Sequence, residues 1–180
     1  MAPPWRLPPL EPPSWLTARS EAARAAATTA ANLATMQGIV DAVNPLGGQD
    51  NCGNIIDAVR ARLDGSDPHA VAPDAQDGSD PQIEARFQTH VDMGHTFGDA
   101  FQAVSAGGPG TMAVVFIDYA GGGGHVVLMA NHNGTVGIFE GQDWAQGGGH
   151  DPREIITDEN RALERYNPSN VGFGIVGSNP

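Results

Sequence analysis

The chain has one cysteine, Cys52, in the stretch DNCGN, and six histidines. A thiol acts as a nucleophile only as its thiolate, so the residues around Cys52 decide whether it has chemistry to do. Downstream of it Ile55, Ile56, Val59 and Leu63 fall at helical spacing, with Gly65 as a C-terminal stop. Asp50 or Asn51 suits the N-cap. The spacing therefore puts Cys52 in the first turn of a helix, facing backbone N–H groups and the positive end of the helix dipole. Those groups favour a thiolate, and they can also bind the oxyanion formed when sulfur attacks a carbonyl. The competing reading is a buried thiol in a non-enzymatic binding module.

A thiolate of this kind needs an imidazole partner. His69 lies in a polar loop, His132 in a turn and His150 in a Gly-rich exit, so all three read as solvent-facing. His90 and His95 are five apart, a spacing that suits neither one helix face nor one strand face, and no shared metal is expected. A single cysteine also excludes Cys-based zinc clusters and the paired-cysteine zinc base deaminases. Neither a metal nor a cofactor is expected. His125 is different: it follows four glycines and opens the apolar run HVVLMA. Asn133-Gly134 signals a type I′ hairpin, and pairing about that turn sets His125 opposite roughly residue 142, within about two residues. Glu140, Gln142 and Asp143 all fall there, and any of them could hold the imidazole as the third member of a Cys-His-acid triad. An oxyanion would be met by the Cys52 N–H and a side-chain amide, Gln49 or Asn51. Gln49 serves equally well as a loop cap.

These residues need elements to position them. Residues 1–13 carry six prolines and read as an extended arm, which Trp5 and Trp15 could pin to the domain. An Ala-rich helix spans 14–43 and docks mainly through Leu33, Met36, Ile39, Val40 and Val43, before NPLGGQD breaks it. Short helices are expected near 83–89 and 96–105. Strands are expected at 111–120, 125–131, 135–141 and 170–177. Helices first and strands later predict an α+β fold, with N-terminal helices packed on a C-terminal antiparallel sheet. Residues 1–40 form the arm and Ala-rich helix, and 41–180 form the catalytic domain.

Charge narrows the partners. The chain carries 21 carboxylates against 9 basic residues, for a net charge of −12. Phosphate backbones and anionic membrane surfaces are repelled, whereas a basic protein surface is attracted. All nine basic residues are arginine, so lysine Schiff-base and phosphate-loop chemistry are excluded. The missing lysines have two alternative readings, GC-rich codon usage or avoidance of ubiquitin in a foreign cytosol. No apolar run is long enough to span a membrane, and MAPPWRLPPLEPPSW lacks the layout of a signal peptide.

The segments VNPLGGQDNCGNIIDAVRARLDG and GGGGHVVLMANHNGTVGIFEGQDW resemble the papain-fold toxin family, glutamine-deamidase-type domains at the C-termini of bacterial polymorphic toxins. The shared pattern is an Asn-Pro, an Asn-Cys leading a helix, a Gly-His leading a strand, and an Asp-x-Gln closing the hairpin. The resemblance covers about residues 40–177. It implies a papain-like fold with Cys52 as nucleophile, His125 as base, Glu140 in the Asp slot and Gln142 as the motif glutamine. Glu for Asp is a departure that lengthens the arm by one methylene and leaves Asp143 as a rival. Gly53-Asn54-Ile55 also departs, since relatives often carry a second Cys there. The implied activity is hydrolysis of a protein glutamine carboxamide, with a cysteine protease or peptidoglycan amidase as the alternative on the same scaffold. The resemblance also implies delivery by the producing bacterium, action in the target-cell cytoplasm, a protein substrate and a cognate immunity protein.

Overall fold

The computed structural model describes residues 14–76, 79–143 and 152–177. In chain order the elements are α1 (Ser14–Val43), α2 (Cys52–Leu63), α3 (Asp80–Phe87), β1 (Asp92–His95), α4 (Phe97–Ala106), β2 (Met112–Tyr119), β3 (Gly124–His132), β4 (Thr135–Glu140), β5 (Glu154–Ile156), α5 (Glu159–Tyr166) and β6 (Pro168–Ile175). The six strands form one antiparallel sheet in the order β1-β6-β2-β3-β4-β5. This is the α+β arrangement expected, with helices on both faces of the sheet.

Side-chain alternation along β2 and β3 divides the core. Val114, Phe116, Val126 and Leu128 pack with Met36, Val40 and Val43 of α1, Ile55, Ile56 and Val59 of α2, and Ile83 and Phe87 of α3. Val115, Ile117, Val127 and Met129 pack with Phe97, Ala100 and Val104 of α4 and with Ala162 and Tyr166 of α5. Both faces are covered, so these strands read as unbroken apolar runs rather than alternating ones. α1 docks only by its C-terminal half, as expected; residues 15–31 are exposed, Trp15 among them. Trp5 lies outside the described residues. A division at residue 40 falls inside α1, whose last turns belong to the core.

Three elements were not anticipated. β1 is four residues long, wholly exposed, and contains Gly94 at φ 91°. β5 has only three residues. α5, ENRALERY, buries only Ala162, Arg165 and Tyr166, so it has no apolar stripe to read. α3 starts earlier than 83, because Ser79 and Gln82 form a capping box around a first turn that holds Pro81. The hairpin turn follows the Asn-Gly expectation, with positive φ at both Asn133 (52°) and Gly134 (92°).

The feature that builds the site is a parting of strands. β3 and β4 pair from His132↔Thr135 to Leu128↔Phe139. Beyond that β3 runs on to Gly124, whereas Glu140 pairs outward with Glu154 of β5. The N-terminus of α2 occupies the opening. Gly141 makes the close approach possible: a Cβ there would sit 2.6 Å from Ile55 Cγ2 and 3.0 Å from Val43 Cγ2. Gly141→Ala is expected to destabilise the fold by about 1–3 kcal/mol through overpacking. Urea unfolding checks this, and an unchanged midpoint would mean that α1, α2 and the β4 exit do not pack as described.

Candidate active site

Cys52 is the first residue of α2 and is half-buried. Asn51 occupies the N-cap position but makes no side-chain cap hydrogen bond, which leaves the first-turn N–H groups to other acceptors. The backbone N–H groups of Gly53 and Val126 are directed at the sulfur, as is the imidazole of His125. Val126 can donate because β3 has lost its β4 partner at this point. Burial opposes ionisation of the thiol, but the His125 hydrogen bond, its charge and the two N–H groups outweigh it, and the thiol pKa is lowered.

His125 is buried at the start of β3, and its Nε2 lies 2.8 Å from Glu140 Oε2. That leaves Nδ1 for the sulfur. Glu140 ends β4 and is 1 % exposed. Its Oε2 also accepts from Tyr166 Oη at 2.9 Å, and Arg165 Nε stands 3.8 Å away. Its Oε1 accepts the Gln142 backbone N–H at 2.8 Å. Burial alone would neutralise this carboxyl, but the His125 charge and hydrogen bond, then Arg165 and the Gln142 N–H, hold its pKa below the ordinary value. Burial works against the imidazolium as well, yet the Glu140 charge and the Cys52 hydrogen bond push His125 up to about 9. Arg165, Glu140 and His125 thus alternate in charge towards the sulfur, and the imidazolium at the end of that line favours the thiolate form of Cys52.

The structure thus brings Cys52, His125 and Glu140 together. Asp143 is exposed, whereas Glu140 is buried against the ring. The amides divide. Asn51, named as a possible oxyanion donor, is turned inward, and its Nδ2 is donated to Pro73 O at 2.9 Å and Asn44 Oδ1 at 3.3 Å. Gln142 donates Nε2 to the Gln49 carbonyl at 2.8 Å and contacts Asn51 Oδ1 at 3.4 Å, so its amide ties the loop before α2 to the exit of β4. Gln49 keeps an exposed side chain lining the cavity. Of the three amides expected from the sequence, it is the one whose residue is exposed at this cavity.

Sequence reasoning did not find Asn44, Arg165 or Tyr166. Fully buried Asn44 holds the loop, accepting from Gly48 N and donating to Gly48 O and Gly141 O. Arg165 also donates to the Gln142 carbonyl at 3.0 Å and to Glu154 at 2.9 Å. The Asn-Pro pattern pointed towards Asn44. No local signal points to Arg165 or Tyr166, which reach Glu140 only through tertiary packing.

Two depressions meet at the thiol. One, of about 340 Å³, is lined by Asp50, Cys52, Asp80, Ile83, Phe116, Asp118 and His125 among others. The second, of about 490 Å³, is lined by Gln49, Gln76, Tyr119, Gly122, Gly123 and Gln142, and shares Asp50, Cys52, Gly124 and His125 with the first. His90 pairs with Glu84 and Asp92, and His95 packs edge-on against Phe173. Among the described residues no group of three or more His, Cys, Asp or Glu side chains is arranged to hold a metal ion.

A first-turn thiol polarised by an imidazole, itself held by a buried carboxylate, can perform nucleophilic acyl chemistry. Residues 50–143, more than half of the chain, match the family described as papain fold toxin 1, glutamine deamidase, and the chain belongs to that family. No curated protein and no solved structure compared with the chain matches it. The matched span contains Cys52, His125 and Glu140 and stops before α5, which supplies Arg165 and Tyr166. No helix among the described residues is long and apolar enough to cross a membrane.

The lowered thiol and raised imidazole pKa values favour a thiolate–imidazolium pair over a window that closes near pH 9. Iodoacetamide should therefore alkylate Cys52 at appreciable rates well below the ordinary thiol value of roughly 8.5. His125→Ala should move the rate profile towards that value. An identical profile in the two proteins would mean that ring and sulfur do not interact.

Proposed function

We propose that the chain is the effector domain of a bacterial toxin and converts a protein glutamine to glutamate through a Cys52 thioester. The supporting observation is the Cys52–His125–Glu140 line, buried at its carboxylate end and open to a cavity at its sulfur end, in a member of a glutamine-deamidase family. The thiolate adds to the carboxamide carbon, and the oxyanion lies beside the first-turn N–H groups of α2 and the Gln49 amide. Imidazolium His125 gives its proton to the departing nitrogen, which leaves as ammonia. Neutral His125 then takes a proton from water, the hydroxyl adds to the thioester, and expulsion of the thiolate frees glutamate. Glu140 stabilises the imidazolium and fixes which nitrogen faces the sulfur.

The cavity linings favour a protein-borne carboxamide over free glutamine. An α-carboxylate would enter among Asp50, Asp80 and Asp118, and among the described residues no Arg lines either depression at the thiol. A glutamine within a polypeptide carries neutral peptide groups instead. The second reading, peptide-bond hydrolysis, has one observation in its favour: the depressions extend on both sides of Cys52, leaving room for a main chain to pass. We further propose delivery into a target cell and a cognate immunity protein that covers the Cys52–His125 opening in the producer.

Incubation with candidate target proteins, read by intact mass, tests the reaction. A gain of about one dalton per site is expected with wild type and none with Cys52→Ala. Fragments would favour the protease reading, and an active alanine variant would remove Cys52 from the mechanism.

Glu140→Gln should cut kcat/KM by roughly 100- to 10,000-fold, because it removes the charge that stabilises imidazolium. Asp143→Asn should be far milder. The opposite ranking would give the third position to Asp143.

The pH dependence follows from which group must stay protonated. Deamidation needs imidazolium as the acid, so kcat/KM should fall as pH rises through about 9, while alkylation of the thiolate should not. Parallel alkaline losses in both assays would mean that His125 is not the acid.

A further inference from the structure

The depression of about 340 Å³ at the thiol does not stop at Asp118. An adjoining one of about 370 Å³ shares Asp80, Phe116 and Asp118 with it and runs on over Pro81, Glu84, Val91 and Met93. Together they form a groove that begins at the Cys52–His125 pair and leaves between α3 and the β1–β2 side of the sheet. Its lining combines two characters. Exposed Met93 and the edges of Ile83, Val91 and Phe116, which are otherwise buried in the core, provide its apolar lining. Asp50 stands at the catalytic end, and Asp80 and Asp118 stand where the two depressions join.

The carboxylates are not all available. Glu84 already accepts from His90 Nδ1 at 3.0 Å and from the Val91 N–H at 2.7 Å. Asp80 and Asp118 are exposed, and neither has an ion-pair partner among the described residues. Among the described residues no Arg lines either part of the groove, and the chain has no lysine. A positively charged occupant is therefore favoured, and apolar edges beside free carboxylates suit an aliphatic stem that ends in a cation. The groove ends on a thiol–imidazole pair, so a polypeptide that presents its glutamine to Cys52 has a path here for a neighbouring part of itself.

We infer that Asp80 and Asp118 form a specificity subsite for an arginine or lysine flanking the target glutamine. The stem of that side chain lies on Phe116 and Ile83, and its head lies between the two carboxylates. This rests on the deamidase reading above and adds the substrate class: a glutamine on a basic segment of a protein. The subsite would discriminate through both encounter rate and residence, and its effect would weaken with salt.

Glutamine peptides identical except for Arg, Ala or Glu two to four residues from the glutamine, on either side, test the subsite. Ammonia release should give Arg peptides about three- to tenfold higher kcat/KM than Glu peptides at low salt, the size expected of exposed ion pairs. The difference should shrink in 0.5 M salt, on the order of a Debye length of a few ångströms. Asp80→Asn combined with Asp118→Asn should bring the Arg-to-Glu ratio, read within the variant, close to one. The same peptides, dye-labelled and titrated by anisotropy against Cys52→Ala, read the groove without chemistry. Equal binding of Arg and Glu peptides, or a preference that survives the double substitution, overturns the subsite. Preferential binding of Arg peptides with no ammonia released by wild type leaves the subsite standing and counts against the deamidase reading instead.

Discussion

A carboxylate at 1 % exposure survives as an anion only if its surroundings replace water, and Glu140 is that carboxylate. Four groups from three parts of the chain do so: His125 from β3, the Gln142 N–H just after β4, and Arg165 and Tyr166 from α5. The arrangement runs in both directions. His125 and Arg165 keep Glu140 charged, and Glu140 keeps His125 protonated to about pH 9. With Nε2 committed, the ring presents Nδ1 to sulfur, so one buried hydrogen bond settles tautomer, orientation and charge together. Removing one member strands the others as buried, uncompensated groups, which is far costlier than losing a surface pair.

The geometry that admits this line is the departure of β4 from β3. A fully paired sheet would use the Val126 N–H in its ladder and leave no gap for a helix terminus. Here the ladder ends at Leu128↔Phe139, and α2 brings Cys52 to the freed edge. The loop that leads into α2 is held by buried amides. Asn44 bonds Gly48 and Gly141, and Gln142 bonds Gln49. Sulfur and carboxylate are thus tied to the same knot of backbone, although 88 residues separate Cys52 from Glu140. Glycine at 141 is what lets the two segments touch.

Charge is distributed to match. Arg165 faces inward onto Glu140, and among the described residues the charged side chains at the mouth around the thiol are His125 and the carboxylates Asp50, Asp80 and Asp118. This polarity suits a neutral carboxamide on a positively charged surface and disfavours small anionic substrates.

Much of this was legible in linear order. The Cys52 helix start, the apolar strands, the Asn133-Gly134 turn and the placement of His125 opposite about residue 142 all rest on local rules: period 3.6, period 2, and the φ > 0 demand of a type I′ turn. These rules reach across one helix or one hairpin, so they delivered Cys52, His125 and a short list of third partners. They could not choose among Glu140, Gln142 and Asp143, because that choice depends on where β4 leaves β3 and which face each residue then shows. They could not foresee that Asn51 would be turned inward on Asn44 and Pro73. Nor could they find Arg165 and Tyr166. α5 is a largely polar helix that adds Ala162 and Tyr166 to the core and sets Arg165 and Tyr166 against Glu140, which lies on a strand well upstream. Local periodicity determined which residues could act; long-range packing around one buried carboxylate decided which of them meet.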